Sequence, residues 1–390
     1  MARAKTKKTI PLFDLKLNAA TKRLVRRTLD SGWLSTGPNA DEFEKAIAKL
    51  SGVRYAVAVS SATAGLELAL RAVNARQGVE VITTPLTFAA TAAAIMRTGA
   101  RPIFADIDPV TLNIDSDEVE RKLSTSTLAI MPVDIAGHPC DYPKLAALCD
   151  RYRLPLMADA AHSVGASVGR KSVAAFADVA VHSFYSTKNL TCGEGGMVLT
   201  RHKQFAEAVR LLSRQGMTRT AHERRKKSSR AYDIRALGMK ANLSDVHAAI
   251  GLGQLTSFEN DQAKRRKIAE RYFRNLAALQ DIIELPFVAD NAEPSWHLFI
   301  IKLRLSRLKT DRDRFIRLMA ARSVECGVHY QGMFDLSYYR THLGLSPQFF
   351  PNAAWATRRV VSLPIYPTLP LKDVDYICDC VVDVLTRHCR

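Results

Sequence analysis

From about Ala40 to Thr200, short apolar segments alternate with amphipathic ones. RYAVAVSS (54–61), VEVITTP (79–85), RPIFADID (101–108), LAIMPVDI (128–135) and LPLMADAA (154–161) read as strands bounded by turn residues. Helical spacing follows the first through Arg71, and follows the second from Ala89 to Arg97. Such alternation predicts an α/β domain built on a mainly parallel sheet. A further apolar pair, Val179 to Phe184 and Met197 to Thr200, flanks a Gly-rich turn. From Ser244 to Leu279 the pattern reads as a long helical connection. Beyond about Asp281, HLFIIKL (297–303) and VECGVHY (324–330) read as strands of a smaller α/β domain. No internal repeat or low-complexity linker interrupts the chain.

A chain of 390 residues is long enough for one large domain with a smaller partner. No apolar run reaches membrane-span length, and the basic N-terminus lacks the apolar stretch of a signal peptide. Seven scattered cysteines without a CxxC pair fit reduced thiols in the cytoplasm. Cys378 and Cys380, two apart on an expected C-terminal helix, are poorly spaced for zinc, and no histidine spacing supports a metal. The formal charge of +18 raises nucleic acid as a partner. The charge collects in a tail (Arg3, Lys5, Lys7, Lys8), a loop (Arg219 to Arg235) and a helix stretch (Lys264 to Lys267). Aromatic residues are not interleaved with these runs, as a stacking surface would need. A small, multiply anionic substrate accounts for the charge as well.

Three places carry chemistry. The first is Ser60–Gly65, SSATAG, where a strand turns into a helix. Free amides and the positive helix end make such a turn an anion site, with hydroxyls of Ser61 and Thr63 as further donors. An ordinary Ser/Thr N-cap reads the same way. There is no GxGxxG after a strand and no GxxxxGK[ST]. The second is Asp159, at the end of a strand apolar enough to be buried. Ligands of doubly wound sheets gather at carboxyl ends of strands. Asp106 and Asp134 end strands similarly, so position alone does not single out Asp159. The third is Lys188, a lone lysine in HSFYSTKNLTCGEGG (182–196). It is either a surface lysine in a β-connection or a lysine kept for covalent chemistry. A phosphate cup, a buried Asp and a lone Lys, in that order, are the parts of a pyridoxal-phosphate site.

Six blocks extend this pattern: SGWLSTGP (31–38), AVSSATAGL (58–66), DAAHSVGA (159–166), HSFYSTKNLTCGEGG (182–196), NLSDVHAAIGLGQL (242–255) and WHLFIIKL (296–303). In order and register they resemble the DegT/DnrJ/EryC1/StrS family of sugar aminotransferases, within the fold-type I pyridoxal-phosphate enzymes. Within the family the chain is most similar to the enzymes that make UDP-4-amino-4-deoxy-L-arabinose. The resemblance implies an α/β fold, with a mainly parallel sheet of the seven-stranded type in a large domain and a smaller C-terminal α/β domain. It implies a basic tail over 1–9, the cofactor domain over 10–255, and a linking helix with the small domain over 256–390. Lys188 would hold the cofactor covalently and shuttle protons. Asp159 would pair with the pyridine nitrogen. Ser61, Ala62, Thr63 and Ser183 would hold the phosphate, Phe88 would stack on the ring, and His162 would help position it. Asn242 would reach the phosphate of a neighbouring subunit, so a homodimer would share its active sites. His329 and Tyr330 would face the sugar.

The same resemblance implies transfer of an amino group from an amino acid, L-glutamate, to a nucleotide-linked 4-keto sugar. The products would serve cell-surface glycans, lipopolysaccharide among them, or amino sugars of secondary metabolism. Histidine in place of the lysine marks dehydrating members, so Lys188 favours transamination. Two departures stand out. Phe334 occupies a position where the nearest relatives carry a histidine, which would remove a polar contact at the substrate entrance. Phe88 replaces tryptophan and keeps stacking possible. Arg224 and Arg225, in RTAHERRKKSSR, either draw in a nucleotide diphosphate or belong to a solvated loop. Cys192 reads as a packing residue, and His138, His247 and His297 as structural histidines. Two other functions stay open: an aminotransferase for an unlinked keto-sugar acid or aminocyclitol precursor, and an inactive relative with a regulatory or nucleic-acid-binding role.

Overall fold

A computed structural model describes residues 9–219 and 231–390. Arg224, Arg225 and all but the last residue of the basic tail lie outside the described residues. Seven strands form the main sheet: β1 (Tyr55–Val59), β2 (Glu80–Thr83), β3 (Arg101–Phe104), β4 (Thr127–Ile130), β5 (Met157–Asp159), β6 (Val179–Ser183) and β7 (Gly196–Thr200). Three- and four-stranded ladders join through the parallel bridges Ile130–Leu156 and Val133–Asp159, giving the order 3-2-4-5-6-7-1. All pairings are parallel except those of β7, which runs against both β6 and β1. The mainly parallel sheet expected from the alternation is thus present.

Every residue of β6 and β7 is buried, as suits strands covered on both faces. The helices that cover the sheet include α1 (Ala19–Asp30), α2 (Pro38–Leu50), α3 (Ala62–Ala72), α4 (Ala90–Arg97), α5 (Ser116–Arg121), α6 (Tyr142–Tyr152) and α7 (Lys203–Leu212). Of these, α3 fixes the site. Ser61 is extended (φ −164°) and caps it, its Oγ accepting from the Ala64 amide at 3.2 Å. Gly65 brings the helix against β6, since a Cβ there would lie 2.9 Å from Cγ1 of Val181. Gly196 does the same for β7, where a Cβ would lie 2.6 Å from the Ala62 amide nitrogen.

The helical connection expected over Ser244–Leu279 is present as two main helices, α8 (Asp245–Leu255) and α9 (Phe258–Leu276). Hydroxyls of Thr256 and Ser257 accept from the Asn18 amide and turn back onto the Gly253 and Gln254 carbonyls (2.7 and 3.3 Å). The last carbonyls of α8 are thereby satisfied by side chains, and the helix stops. VECGVHY is not a strand. Val324 bridges Ile10 and Gly327 bridges Ser362, so the segment passes between two partners and no continuous ladder forms.

The C-terminal part carries an antiparallel sheet of β8 (Ile283–Glu284), β9 (Phe299–Leu303) and β10 (Val360–Leu363). It packs with α9, α10 (Arg312–Ala320) and the C-terminal helix Leu371–Arg387 around Phe299, Ile301, Val361, Leu363 and Ile377, all buried. Cys378 and Cys380 face this core, as unpaired thiols. Among the described residues no helix is long and apolar enough to cross a membrane.

The close contact at Gly196 yields a test. Gly196→Ala forces a methyl into the Ala62 backbone, and is expected to lower unfolding free energy by about 1–3 kcal/mol. Urea titration checks this, and an unchanged midpoint contradicts the packing described.

Candidate active site

The carboxyl ends of β1, β5 and β6 lie on one side of the sheet, because these strands are mutually parallel through their order. β5 ends in Asp159, 4% exposed. Its Oδ2 accepts from Oγ1 of Thr91 at 2.7 Å, and Oδ1 accepts from the Ala161 amide at 3.3 Å. Thr91 is in turn 2.8 Å from Oγ1 of Thr87. Burial raises the Asp159 pKa, while Thr91, the Ala161 amide and Lys188 act the other way. A buried carboxyl so arranged favours a cationic partner. Thr91 escaped the sequence reading. Its signal was a polar residue in the alanine-rich helix α4, one turn after Thr87.

Lys188 sits in the loop Phe184–Gly195 that joins β6 to β7. An antiparallel pair lets this loop return without a crossover helix, and register Ser183–Gly196 closes it. Inside the loop, the Phe184 and Cys192 amides donate to the Gly195 and Phe184 carbonyls, both at 2.9 Å, and the Lys188 amide donates to the Tyr185 carbonyl at 2.9 Å. The loop is therefore fixed by its own backbone. Lys188 is half-buried, and desolvation pulls its ammonium pKa down to about 8, with Asp159 opposing the shift. Cys192, read as a packing residue, is fully buried and its thiol is pushed up well above its ordinary value.

The third part is the turn before α3. Ala62 and Thr63 open the helix, where amides lack partners within the helix. Ser183 is buried at the end of β6, directly opposite Gly196. Since Gly196 also abuts Ala62, the Ser183 rung and the α3 turn are neighbours. Asn242 lies beside the same turn of its own chain, bridged to Val59, and its amide donates to Thr36 while accepting from Lys240.

A group of rings closes the other side. Nε2 of His162 lies 2.9 Å from the Tyr330 hydroxyl, and the two rings stack at 5.8 Å and 25°. Nδ1 of His162 is buried without a hydrogen-bond partner among the described residues. The His297 ring is 4.5 Å from that of His162, and its Nδ1 is 3.3 Å from Oδ1 of Asn189. His297, expected to be structural, therefore belongs to this group. His329 is tied to Ser362 at 2.8 Å, and burial and Lys188 push its pKa down to about 4. His162 and His297 are pushed well below their ordinary value by burial, then by Lys188. These rings are neutral at pH 7. By contrast, His138 is held by Asn113 (3.3 Å) and His247 by Ser244 (2.8 Å).

Phe88 is 61% exposed, 6.1 Å from the Tyr330 ring, and lines a cavity of about 640 Å³ with His329, Tyr330 and Arg312. Phe334 does not face an entrance. It is buried and stacks on Phe350 at 5.9 Å, because Gly332 leaves room for its ring. Its histidine-to-phenylalanine departure therefore falls in the core.

The donor set fits pyridoxal phosphate. A desolvated amine, a buried carboxyl at the end of β5 and open amides at a helix start occupy the places that an aldehyde, a pyridine nitrogen and a phosphate require. This fold with this site defines a fold-type I pyridoxal-phosphate transaminase. The chain belongs to the DegT/DnrJ/EryC1/StrS aminotransferase family, whose model matches residues 16–382. It is 38% identical over 363 residues to the spore coat polysaccharide biosynthesis protein SpsC of Bacillus subtilis, covering 93% of each chain. Its structure resembles Spr1654 of Streptococcus pneumoniae, solved in forms with pyridoxal and pyridoxamine phosphate. Against the latter the TM-score is 0.91 at 28% identity, covering 97% and 99% of the two chains. It also resembles DesI, solved in the presence of its TDP-sugar product, with TM-score 0.87, 30% identity and coverage of 97% and 93%.

Two tests follow from the electrostatics. Thr91→Val removes one donor from a buried carboxyl and is expected to cost about 1–3 kcal/mol in urea unfolding. An equal loss in Thr91→Ser, which keeps the hydroxyl, would contradict the hydrogen-bond account. For Lys188 in the cofactor-free protein, the folded pKa of about 8 lies below the ordinary 10.5. Between those values the unfolded chain binds more protons, so stability rises with pH. Wild type minus Lys188→Met should therefore gain on the order of 3 kcal/mol between pH 8 and 10.5. A flat difference would contradict the desolvation of Lys188.

Proposed function

We propose that this chain transfers the amino group of L-glutamate to a nucleotide-linked 4-keto sugar, for cell-surface polysaccharide. The observation that carries the reading is the desolvated Lys188 held beside Asp159 on a rigid hairpin. SpsC, by its description, works in polysaccharide biosynthesis, and DesI has a TDP-sugar product. Both support the sugar side of the reading, and the net charge of +18 suits a multiply anionic substrate.

Bound pyridoxal phosphate supplies an electron sink for a carbanion at the substrate carbon. Lys188 would hold it through Nζ, and its amine would take and return the proton at that carbon. A pKa near 8 leaves a usable fraction of neutral amine at neutral pH. Asp159, oriented by Thr91, keeps the ring nitrogen protonated. Ser61, Ala62, Thr63 and Ser183 would hold the phosphate, Phe88 would stack on the ring, and His162 would help position it. His329 and Tyr330 face the sugar from the cavity beside Phe88. Asn242 lies beside the α3 turn of its own chain, and by the family resemblance it would also reach the phosphate of a second copy in a cytoplasmic homodimer. The large domain spans 10–255, and the linking helix and small domain span 256–390.

Absorption spectroscopy tests the reading. Wild type with pyridoxal phosphate should show the band of lysine-bound cofactor, and L-glutamate should convert it to the pyridoxamine form. A UDP- or TDP-linked 4-keto sugar should then restore the first spectrum. Lys188→Ala should show no lysine-bound band. Conversion by glutamate without restoration by any nucleotide-linked keto sugar would exclude the acceptor. An unchanged spectrum with glutamate would exclude the donor.

A further inference from the structure

Arg265 on α9 is 4% exposed, yet among the described residues no carboxylate lies within ion-pair distance of it. Its Nη1 donates to the carbonyls of Trp296 (3.1 Å) and Ile365 (3.0 Å). Its Nε is buried without a partner, and no hydrogen bond is formed by Nη2 among the described residues. Burial lowers its pKa to about 10, so it stays charged at pH 7, and Asp261 acts against the shift. An unmatched buried guanidinium is costly and calls for an anion.

Arg265 lines a cavity of about 240 Å³ that Lys188 also lines. The segment Phe13–Asn18 walls one side and Tyr366–Thr368 another. Four cationic side chains line it, Lys16, Lys188, Lys264 and Arg265, against two acidic ones, Asp14 and Asp261. Asp261 is already paired with Lys264 at 3.0 Å, and Asp14 accepts from Thr368 at 3.0 Å. The surplus is positive. The volume falls below the roughly 300–1,000 Å³ that holds drug-sized ligands. An amino acid fits it better than a nucleotide sugar, for which the cavity of about 640 Å³ beside Phe88 is available.

We propose that Arg265 receives a carboxylate of the amino donor in this cavity, selecting an amino acid with an acidic side chain. The donor's amino group then lies toward Lys188, and its far carboxylate pairs with Nη2 of the guanidinium. Arg suits this task because two N–H groups can meet both carboxylate oxygens. The assignment rests on the transaminase reading above.

Calorimetric titration of the cofactor-loaded protein with glutarate, a dicarboxylate without an amino group, tests it. Wild type should bind, and Arg265→Gln should bind at least about tenfold more weakly, as expected for losing a charge-assisted pair. Arg265→Lys should recover part of that loss. Pentanediamide, the uncharged analogue, should bind wild type and Arg265→Gln alike. Equal glutarate affinity in wild type and a folded Arg265→Gln overturns the proposal. So does absence of glutarate binding to wild type. In that case, conversion of the cofactor spectrum by L-glutamate in the same sample keeps the transaminase reading, and no conversion removes its glutamate donor as well. Because Arg265 also holds Trp296 and Ile365, the Gln variant can fail to fold. A crystal structure of wild type with glutarate then decides. A carboxylate within hydrogen-bond distance of Nη2 supports the proposal, and glutarate bound only elsewhere overturns it.

Discussion

The site depends on one reversed strand. Were β7 parallel like its neighbours, its connection from β6 would have to cross back over the sheet, usually through a helix. Because β7 runs antiparallel, the chain leaves Ser183 and returns at Gly196 directly opposite it. The loop between them holds no helix and is closed by its own backbone, and Lys188 projects from that support. The reversal also brings Gly196 against the start of α3, where a side chain would not fit. One topological feature therefore places the amine, the Ser183 hydroxyl and the helix amides together.

Burial then sets the chemistry. The same exclusion of water that lowers the Lys188 pKa raises that of Asp159. Each is the counter-charge of the other, and each opposes the shift that burial imposes on its partner. Around them stand His162, His297 and His329, all held neutral by desolvation and by Lys188. A cluster of this kind offers hydrogen bonds and ring surface without adding further charge. Its polarity is fixed by precise contacts, such as the 2.9 Å link from His162 to Tyr330, rather than by ions.

Much of this was legible in the sequence, for physical reasons. Strands buried on both faces are continuous apolar runs, so β1, β6 and β7 stood out. A lone lysine in an uncharged stretch and an aspartate ending an apolar strand marked the centre. What sequence concealed depends on distance along the chain. Thr91 meets Asp159 across 68 residues, and nothing local announces that hydrogen bond. His297 looked structural because its partner ring, His162, lies far away in sequence. Phe334 was placed at an entrance by position in a block, whereas Gly332 and Phe350 decide where its ring goes. The break between α8 and α9 falls at the boundary placed after 255, and Asn18, from the far end of the chain, joins in fixing it.

The central claim is that Lys188 is the covalent anchor of the cofactor. The most direct measurement is to reduce the pyridoxal-phosphate-loaded protein with borohydride, digest it and map the added mass by peptide mass spectrometry. The account predicts a single stoichiometric adduct on Lys188, in the peptide that spans the β6–β7 loop. Adducts spread over surface lysines, or a stoichiometric adduct at another position, would contradict it.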